Sequence, residues 1–278
     1  MLFKLLLKKN TSYLLIIIIA VLGLFFSITS CQKKVEGCTE AIARNYDPEA
    51  DKNCCCQYYN IQITQQFLAG DSLSLFALGQ PFLLPSGEIV VPQKFFTLIH
   101  NIELVKSNGQ AFAVNDTVKL NTANGLIDFS DDFTLLSASS FVYNVGKFSR
   151  LDTFVRLRFT VGLRPNAAVI SAGDVADNSN PLSLLASPLL YDSSRLVYNT
   201  TLFNIAFSNP VDTVKYAFAN DIQIDLACNI IAVDGRDVSV ELNLYCANVF
   251  TGIDFRNDIA DTVRAKVVRN LATSFGLR

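Results

Sequence analysis

The stretch LDTFVRLRFTVGL, residues 151–163, alternates apolar and polar side chains with period two. That period belongs to a strand with one face on a core and the other toward solvent. By strict alternation Val155, Leu157, Phe159, Val161 and Leu163 share one face, and Phe154, Arg156, Arg158, Thr160 and Gly162 the other. The same texture recurs in IQITQQF, SLSLF, FFTLIHNIEL, DTVKL, FVYNV, TLFNIAF, DTVKYAF, DIQIDLACNI and DVSVELNLYC. Between these runs lie Ser107-Asn108-Gly109, Asn124-Gly125 and Asp234-Gly235, residue types that accept the positive φ of tight turns. Many short strands punctuated in this way predict an all-β fold, an antiparallel β-sandwich. A C-terminal α-helix closes the chain. In NDIADTVRAKVVRNLATSFG, residues Ala260, Val263, Val267, Leu271 and Phe275 fall at helical spacing, Asp258 or Asp261 can cap the start, and Gly276 can end it. Its expected role is to cover one end or edge of the sandwich.

The first thirty residues are of another kind. MLFKLLLKKN carries Lys4, Lys8 and Lys9 and no acid, and YLLIIIIAVLGLFF, residues 13–26, is wholly apolar. A run of that length is short of the roughly 20 residues a membrane-spanning helix needs and matches the apolar core of a secretory signal. The sequence continues SITSCQKK. A small residue, Ser30, directly before Cys31, with Ile28 three before it, resembles a bacterial lipobox. The resemblance implies cleavage before Cys31, acylation of Cys31 and a membrane partner held through that lipid. The expected organisation is a lipoprotein signal over residues 1–30, a Cys-rich segment over 31–57 and a sandwich domain over 58–278. Loss of three lysines and no acid takes the formal net charge from −2 to −5. The expected location is extracytoplasmic and membrane-anchored, facing the periplasm or the cell surface, where disulfides persist.

Six cysteines remain beyond Cys31: Cys38, Cys54, Cys55, Cys56, Cys228 and Cys246. An even number in an oxidising space favours cross-links over zinc, whose paired C-x₂-C or Cys/His spacings are absent. Cys54 and Cys55 have Cα atoms about 3.8 Å apart, inside the usual lower limit for a bridge. They are not expected to bond to each other, and no partner is assigned to either. A two-residue turn at Asp234-Gly235 would pair Val233 with Arg236 and set Cys228 opposite Glu241. Cys246 would then lie about 16 Å further along, a poor geometry for a Cys228–Cys246 bridge unless the strand order differs. Both share the parity of an apolar face, as two buried thiols would. Asp47, Glu49, Asp51 and Asn53 offer oxygens at every second position, but Lys52 and Tyr58 stand where an EF-hand loop needs Gly and Glu, so a solvated acidic turn is expected.

Two resemblances sharpen this. GCTEAIARNYDPEADKNCCCQY, residues 37–58, resembles a short motif of secreted proteins of the Bacteroidetes type, in which Gly37, Cys38, Thr39, Ala43, Asn45, Tyr46, Asp47, Pro48, Ala50, Cys56 and Tyr58 match. The motif implies a Cys38–Cys56 disulfide. FFTLIHNIELVKSNGQAFAVNDTVKL, residues 95–120, RLRFTVGLRPNA, residues 156–167, and VELNLYCANVFTGIDF with NLATSF resemble segments of the methanobactin-binding periplasmic protein (MbnP-like) family. That resemblance spans about residues 58–276. It implies a secreted β-sandwich, some members of which bind copper through histidines and an oxidised tryptophan. This chain departs there: it has no Trp, and its one histidine, His100, replaces the family's Ser before Asn101. SPLLYDSSRLVYN, residues 187–199, stands where the family carries a Trp-rich motif. Copper wants several imidazole or soft ligands, so His100 is the candidate metal ligand only with a thiolate beside it, and its ordinary role is structural.

No nucleophile elbow, phosphate loop or dinucleotide fingerprint occurs. Carboxylate pairs such as Asp131-Asp132 and Asp254 with Asp258 are too common to name a reaction. Negative charge without a basic aromatic strip argues against nucleic acid. The expectation is therefore a non-catalytic, lipid-anchored β-sandwich that binds an unidentified small ligand or protein, with no certain cofactor. Copper handling through altered ligands is the alternative.

Overall fold

The computed structural model describes residues 34–278 except 71–73, 132, 139–141, 164–169, 179, 181, 184–189, 193 and 209–210. The leader and Cys31 lie outside the described residues, as do Asp132 and parts of the 156–167 and 187–199 stretches. Two compact units are present, one ending in Ala41 and resuming over Asn45–Gln57, the other made of Ile42–Arg44 with Tyr58–Arg278.

The small unit contains β1 (Glu36–Gly37) and β2 (Lys52–Asn53), paired in parallel. The Cys38–Cys56 disulfide closes it, with Cα atoms 4.8 Å apart across 18 residues. A loop of that length is stabilised by about 3 kcal/mol on the chain-entropy model.

In the large unit the strands are β3 (Tyr59–Leu68), β4 (Phe82–Leu83), β5 (Ile89–Val105), β6 (Ala111–Ala113), β7 (Asp116–Thr122) and β8 (Gly125–Asp131). They continue through β9 (Thr134–Ser137), β10 (Val142–Phe148), β11 (Thr153–Gly162), β12 (Tyr191–Asp192), β13 (Val197–Tyr198) and β14 (Thr201–Ser208). The last four are β15 (Val211–Phe218), β16 (Asp221–Ile231), β17 (Val238–Tyr245) and β18 (Phe275–Leu277), with helices α1 (Cys246–Val249) and α2 (Ala260–Leu271) between the final two. Sheet I runs β10-β3-β17-β18 and sheet II runs β15-β14-β5-β11-β16, with β4, β6 and β9 also on β5. They form an all-β sandwich. Among the described residues its pairings are antiparallel save one: β3 and β17 run parallel, from Val238 opposite Ile61 to Tyr245 opposite Leu68.

The main core lies between the sheets. Phe67 of sheet I meets Phe95 of sheet II edge to face at 5.0 Å, and Phe275 meets Phe159 at 5.2 Å. Phe250 and Phe255, from the segment after α1, add rings against Phe203 at 5.5 and 5.8 Å. A second, smaller core covers the opposite face of sheet II, where Leu98 and Leu202 pack with Val118, Leu120, Val175 and Tyr198.

Bulges reset the alternation that the sequence suggests. On β5, Asn101 and Ile102 together oppose the single residue Phe159 of β11, and Asn101 takes φ 52°. Ile99 and Ile102 consequently both enter the main core, although strict alternation would put them on opposite faces. On β11 the register with β16 shifts between Phe154 and Arg156. Phe154 is buried in the main core while Val155 is half-buried, the reverse of the simple pattern. Leu163 joins the smaller core rather than the main one.

The helix α2 buries Val263, Val267 and Leu271, as their spacing requires. Its N-cap is Ile259, without a side-chain cap. Asp258 is engaged elsewhere, accepting from Lys266 Nζ at 2.5 Å and from the Asp254 N–H at 2.9 Å. Gly276 does not end the helix: the chain turns at Ser274, whose hydroxyl donates to Asn270 O at 2.7 Å. Phe275 and Gly276 then enter β18 beside β17. No helix among the described residues is long and apolar enough to cross a membrane.

Candidate functional site

Sheets I and II part where the edge strand β16 faces β17 and β18. β16 pairs with β11, and the Asp234-Gly235 turn carries the chain across to sheet I instead of folding it back as a hairpin. The turn residues supply the reversal, but Val233 and Arg236 do not pair. A cleft of about 600 Å³ opens between the two strand edges. Its walls combine Cys228, Ile230 and Val240 with the charged Arg236, Asp237, Glu241 and Arg278. Charged groups and apolar side chains share this lining, a more polar mixture than the mainly apolar wall of a typical small-ligand pocket. The strand reading located both walls; it missed the cleft because it joined them as one hairpin.

Cys228 and Cys246 carry free thiols. Cys246 is fully buried at the start of α1, and burial pushes its thiol well above the usual range. Cys228 is half-buried and likewise raised by burial. His100 is 6% exposed on β5, opposite Thr160 of β11. Its chain neighbour Ile99 and the flanking residues Phe159 and Val161 all belong to the main core, so His100 and Thr160 face the other side of sheet II. Cys228 packs on the main-core side. The sheet therefore separates His100 from that thiol, and no group of three or more metal-ligating side chains occurs among the described residues. The residues do not make a copper site of His100 with Cys228.

Other candidates resolve into local structure. Asp254 accepts from the Arg256 N–H, the Asn257 N–H and Asn257 Nδ2 at 3.0, 3.1 and 2.7 Å. The Asn257 side chain foremost holds its carboxyl below the usual range, and Lys266 does the same for Asp258. Both are thus kept ionised, whereas a general acid needs the opposite shift. In the small unit Asp47 Oδ1 accepts the Glu49 N–H at 3.0 Å, Asp51 Oδ2 the Val35 N–H at 3.3 Å and Asn53 Oδ1 the Thr39 N–H at 3.1 Å. These oxygens hold turns together. Cys54 and Cys55, left unassigned by sequence, have Sγ atoms 2.6 Å apart.

On the outer face of sheet II, Arg156 Nε reaches Asp225 at 2.6 Å, and Arg158 reaches Glu103 at 3.3 Å and Asp225 at 3.5 Å. This ladder ties β5, β11 and β16 together next to the cleft edge.

No protein-family model matches the sequence, and no curated protein matches it. Among solved structures the chain is similar to MbnP from Methylosinus trichosporium, with a TM-score of 0.44 and 10% identity over 71% of this chain and 79% of that one.

Proposed function

We propose that this chain is a lipid-anchored, extracytoplasmic β-sandwich that binds a ligand or partner without catalysing a reaction, using the cleft between β16 and β17. The reading rests on the Cys38–Cys56 cross-link, seven residues beyond Cys31. A disulfide closing so small a unit fits an oxidising compartment, and the leader and lipobox resemblance supply the route to it. The cleft supports binding by its mixture of apolar walls and opposed charges. Mass spectrometry of the membrane fraction tests the anchor: the N-terminal peptide should begin at an acylated Cys31, and Cys31→Ala should shift the chain out of that fraction. An uncleaved chain with unmodified Cys31 overturns it. Native mass spectrometry of the extracted protein tests binding. An adduct should accompany the wild type and be lost in Ile230→Trp, which enlarges a half-buried side chain on the cleft wall. Copper handling, the alternative, has no ligand set around His100 among the described residues. Titration with copper watched by visible absorption separates the two, since a saturable band lost in His100→Ala would favour copper.

A further inference from the structure

Two thiols of the small unit have no part in that function. Cys54 and Cys55 are chain neighbours, and in an extended strand their side chains would point to opposite faces. Cys55 instead takes φ 59°, the left-handed region that non-glycine residues seldom enter, and this brings its side chain round to the side of Cys54. The sulfurs lie 2.6 Å apart. Unbonded carbon atoms rest at about 3.5–4.0 Å, and a disulfide closes at about 2.05 Å, so the pair stands nearer to bonding than to ordinary contact.

The backbone holds this turn from both sides. The Cys54 N–H donates to Gly37 O at 2.9 Å. Asn45 Nδ2 donates to Cys55 O at 2.8 Å, and Asn45 Oδ1 accepts the Gln57 N–H at 2.7 Å. Cys56 is tied to Cys38. Cys55 is exposed and Cys54 half-buried, so an exchange partner can reach them. We propose that Cys54 and Cys55 close into a disulfide with each other, a reversible two-electron redox site beside the structural Cys38–Cys56 cross-link.

The oxidant is a disulfide, borne by a dithiol–disulfide exchange protein or a small thiol. The more exposed Cys55, as thiolate, attacks one sulfur of that disulfide and expels one thiolate, leaving a mixed disulfide. Cys54 gives its proton to solvent and displaces the second thiolate. The Cys54–Cys55 bond forms, the mixed bond breaks, and two electrons and the two released protons leave on two thiols. The contact with Cys55 holds the reduced Cys54 thiol above its ordinary range, which leaves the first attack to Cys55. A ring spanning one peptide bond is strained, since its Cα atoms sit about 3.8 Å apart. It should therefore open more readily than Cys38–Cys56.

The test is made on the purified full chain, whether or not Cys31 is acylated, so it is independent of the anchor. The chain is equilibrated with oxidised glutathione, denatured, treated with iodoacetamide and read by peptide mass and fragmentation. Cys54 and Cys55 should be unalkylated, bonded to each other and two hydrogens lighter than the dithiol. In graded glutathione buffers that pair should open before Cys38–Cys56. Cys54→Ser should leave Cys55 open to alkylation or glutathione while Cys38–Cys56 persists. Alkylation of both cysteines in the oxidised wild type overturns the proposal, as does a stable glutathione adduct there or a link from either to Cys38 or Cys56. The wild-type readout stands even if the variant misfolds.

Discussion

Tyr59 and Asp234, 175 residues apart in sequence, meet where the chain crosses from sheet II to sheet I: the Tyr59 hydroxyl donates to the Asp234 carboxylate and accepts the Gly235 N–H at 2.9 Å. Tyr59 is 4% exposed at the start of β3, so the first strand of the sandwich pins the crossover that makes the cleft. Tyr59→Phe should lower the urea midpoint and Asp234→Ala should do the same. The double variant should lose less than the two together, because each removes the same contact. The hydrogen bond to Asp234 raises the Tyr59 phenol above its usual range. Its folded value then exceeds the unfolded one near about 10, so this stabilisation is whole below pH ~10 and drains as pH rises through the folded value. Stability measured against alkaline pH should fall more steeply in wild type than in Tyr59→Phe.

Much of this fold is legible because alternation reports burial, and β16 follows it residue by residue from Asp221 to Ile231. It fails where the backbone carries an extra residue: Asn101 in FFTLIHNIEL is a type that tolerates positive φ, but the run does not say that it is bulged and sends both Ile99 and Ile102 inward. Asp234-Gly235 reads as a reversal, but turn chemistry does not say whether the flanking strands pair or part. Phe275 continues the spacing of Val263, Val267 and Leu271, so a strand was read as a helix tail. The Cys54–Cys55 approach depends on a positive φ at Cys55, which no residue type there signals.

Gly162 ends β11 against the Asn220 carbonyl, and a Cβ placed on it would lie 2.4 Å from that oxygen. Asn220 is held in turn, donating through its N–H to Thr200 Oγ1 and through Nδ2 to Thr201 Oγ1, both at 2.9 Å. The clash cannot be relieved without moving that network. Gly162→Ala should cost about 1–3 kcal/mol by urea unfolding, and an unchanged midpoint would mean that the 219–221 turn is free to shift.

Asp225 sits between Arg156 and Arg158, and the Arg156 guanidinium first, then the further charge of Arg158, hold its carboxyl below the usual range. A depressed carboxylate stabilises the fold above the unfolded value of about 3.9 and loses that contribution as pH falls through the folded value. Arg156 is half-exposed, so screening limits the effect. Asp225→Asn should cost about 1 kcal/mol or less at neutral pH and flatten the acid limb of the stability curve. Added salt should narrow the gap between the two proteins.

The four free thiols among the described residues differ in access, and their labelling order follows. With Cys38–Cys56 intact and the others reduced, Cys55 and Cys54 should react first with a maleimide, Cys228 more slowly and Cys246 only on unfolding. Burial keeps the Cys246 thiol protonated, and only the thiolate reacts. The Cys246 rate should therefore rise with urea in step with global unfolding. Rapid labelling in native buffer would mean that α1 opens locally.

Gln65 lies fully buried on the inner face of β3, where its neighbours in the alternation are Ile63 and Phe67. Neither amide atom has a hydrogen-bond partner among the described residues. Leaving such a group unsatisfied costs about 1–3 kcal/mol in proteins, while Met has nearly the same length and no amide to desolvate. Gln65→Met should therefore stabilise the sandwich by about 1–3 kcal/mol, read as a higher urea midpoint with an unchanged slope. Gln65→Ala should act in the other direction, since it leaves a cavity between the sheets as it removes the amide. A Met variant less stable than wild type would show that the amide is satisfied in solution and that β3 carries a polar contact at its centre.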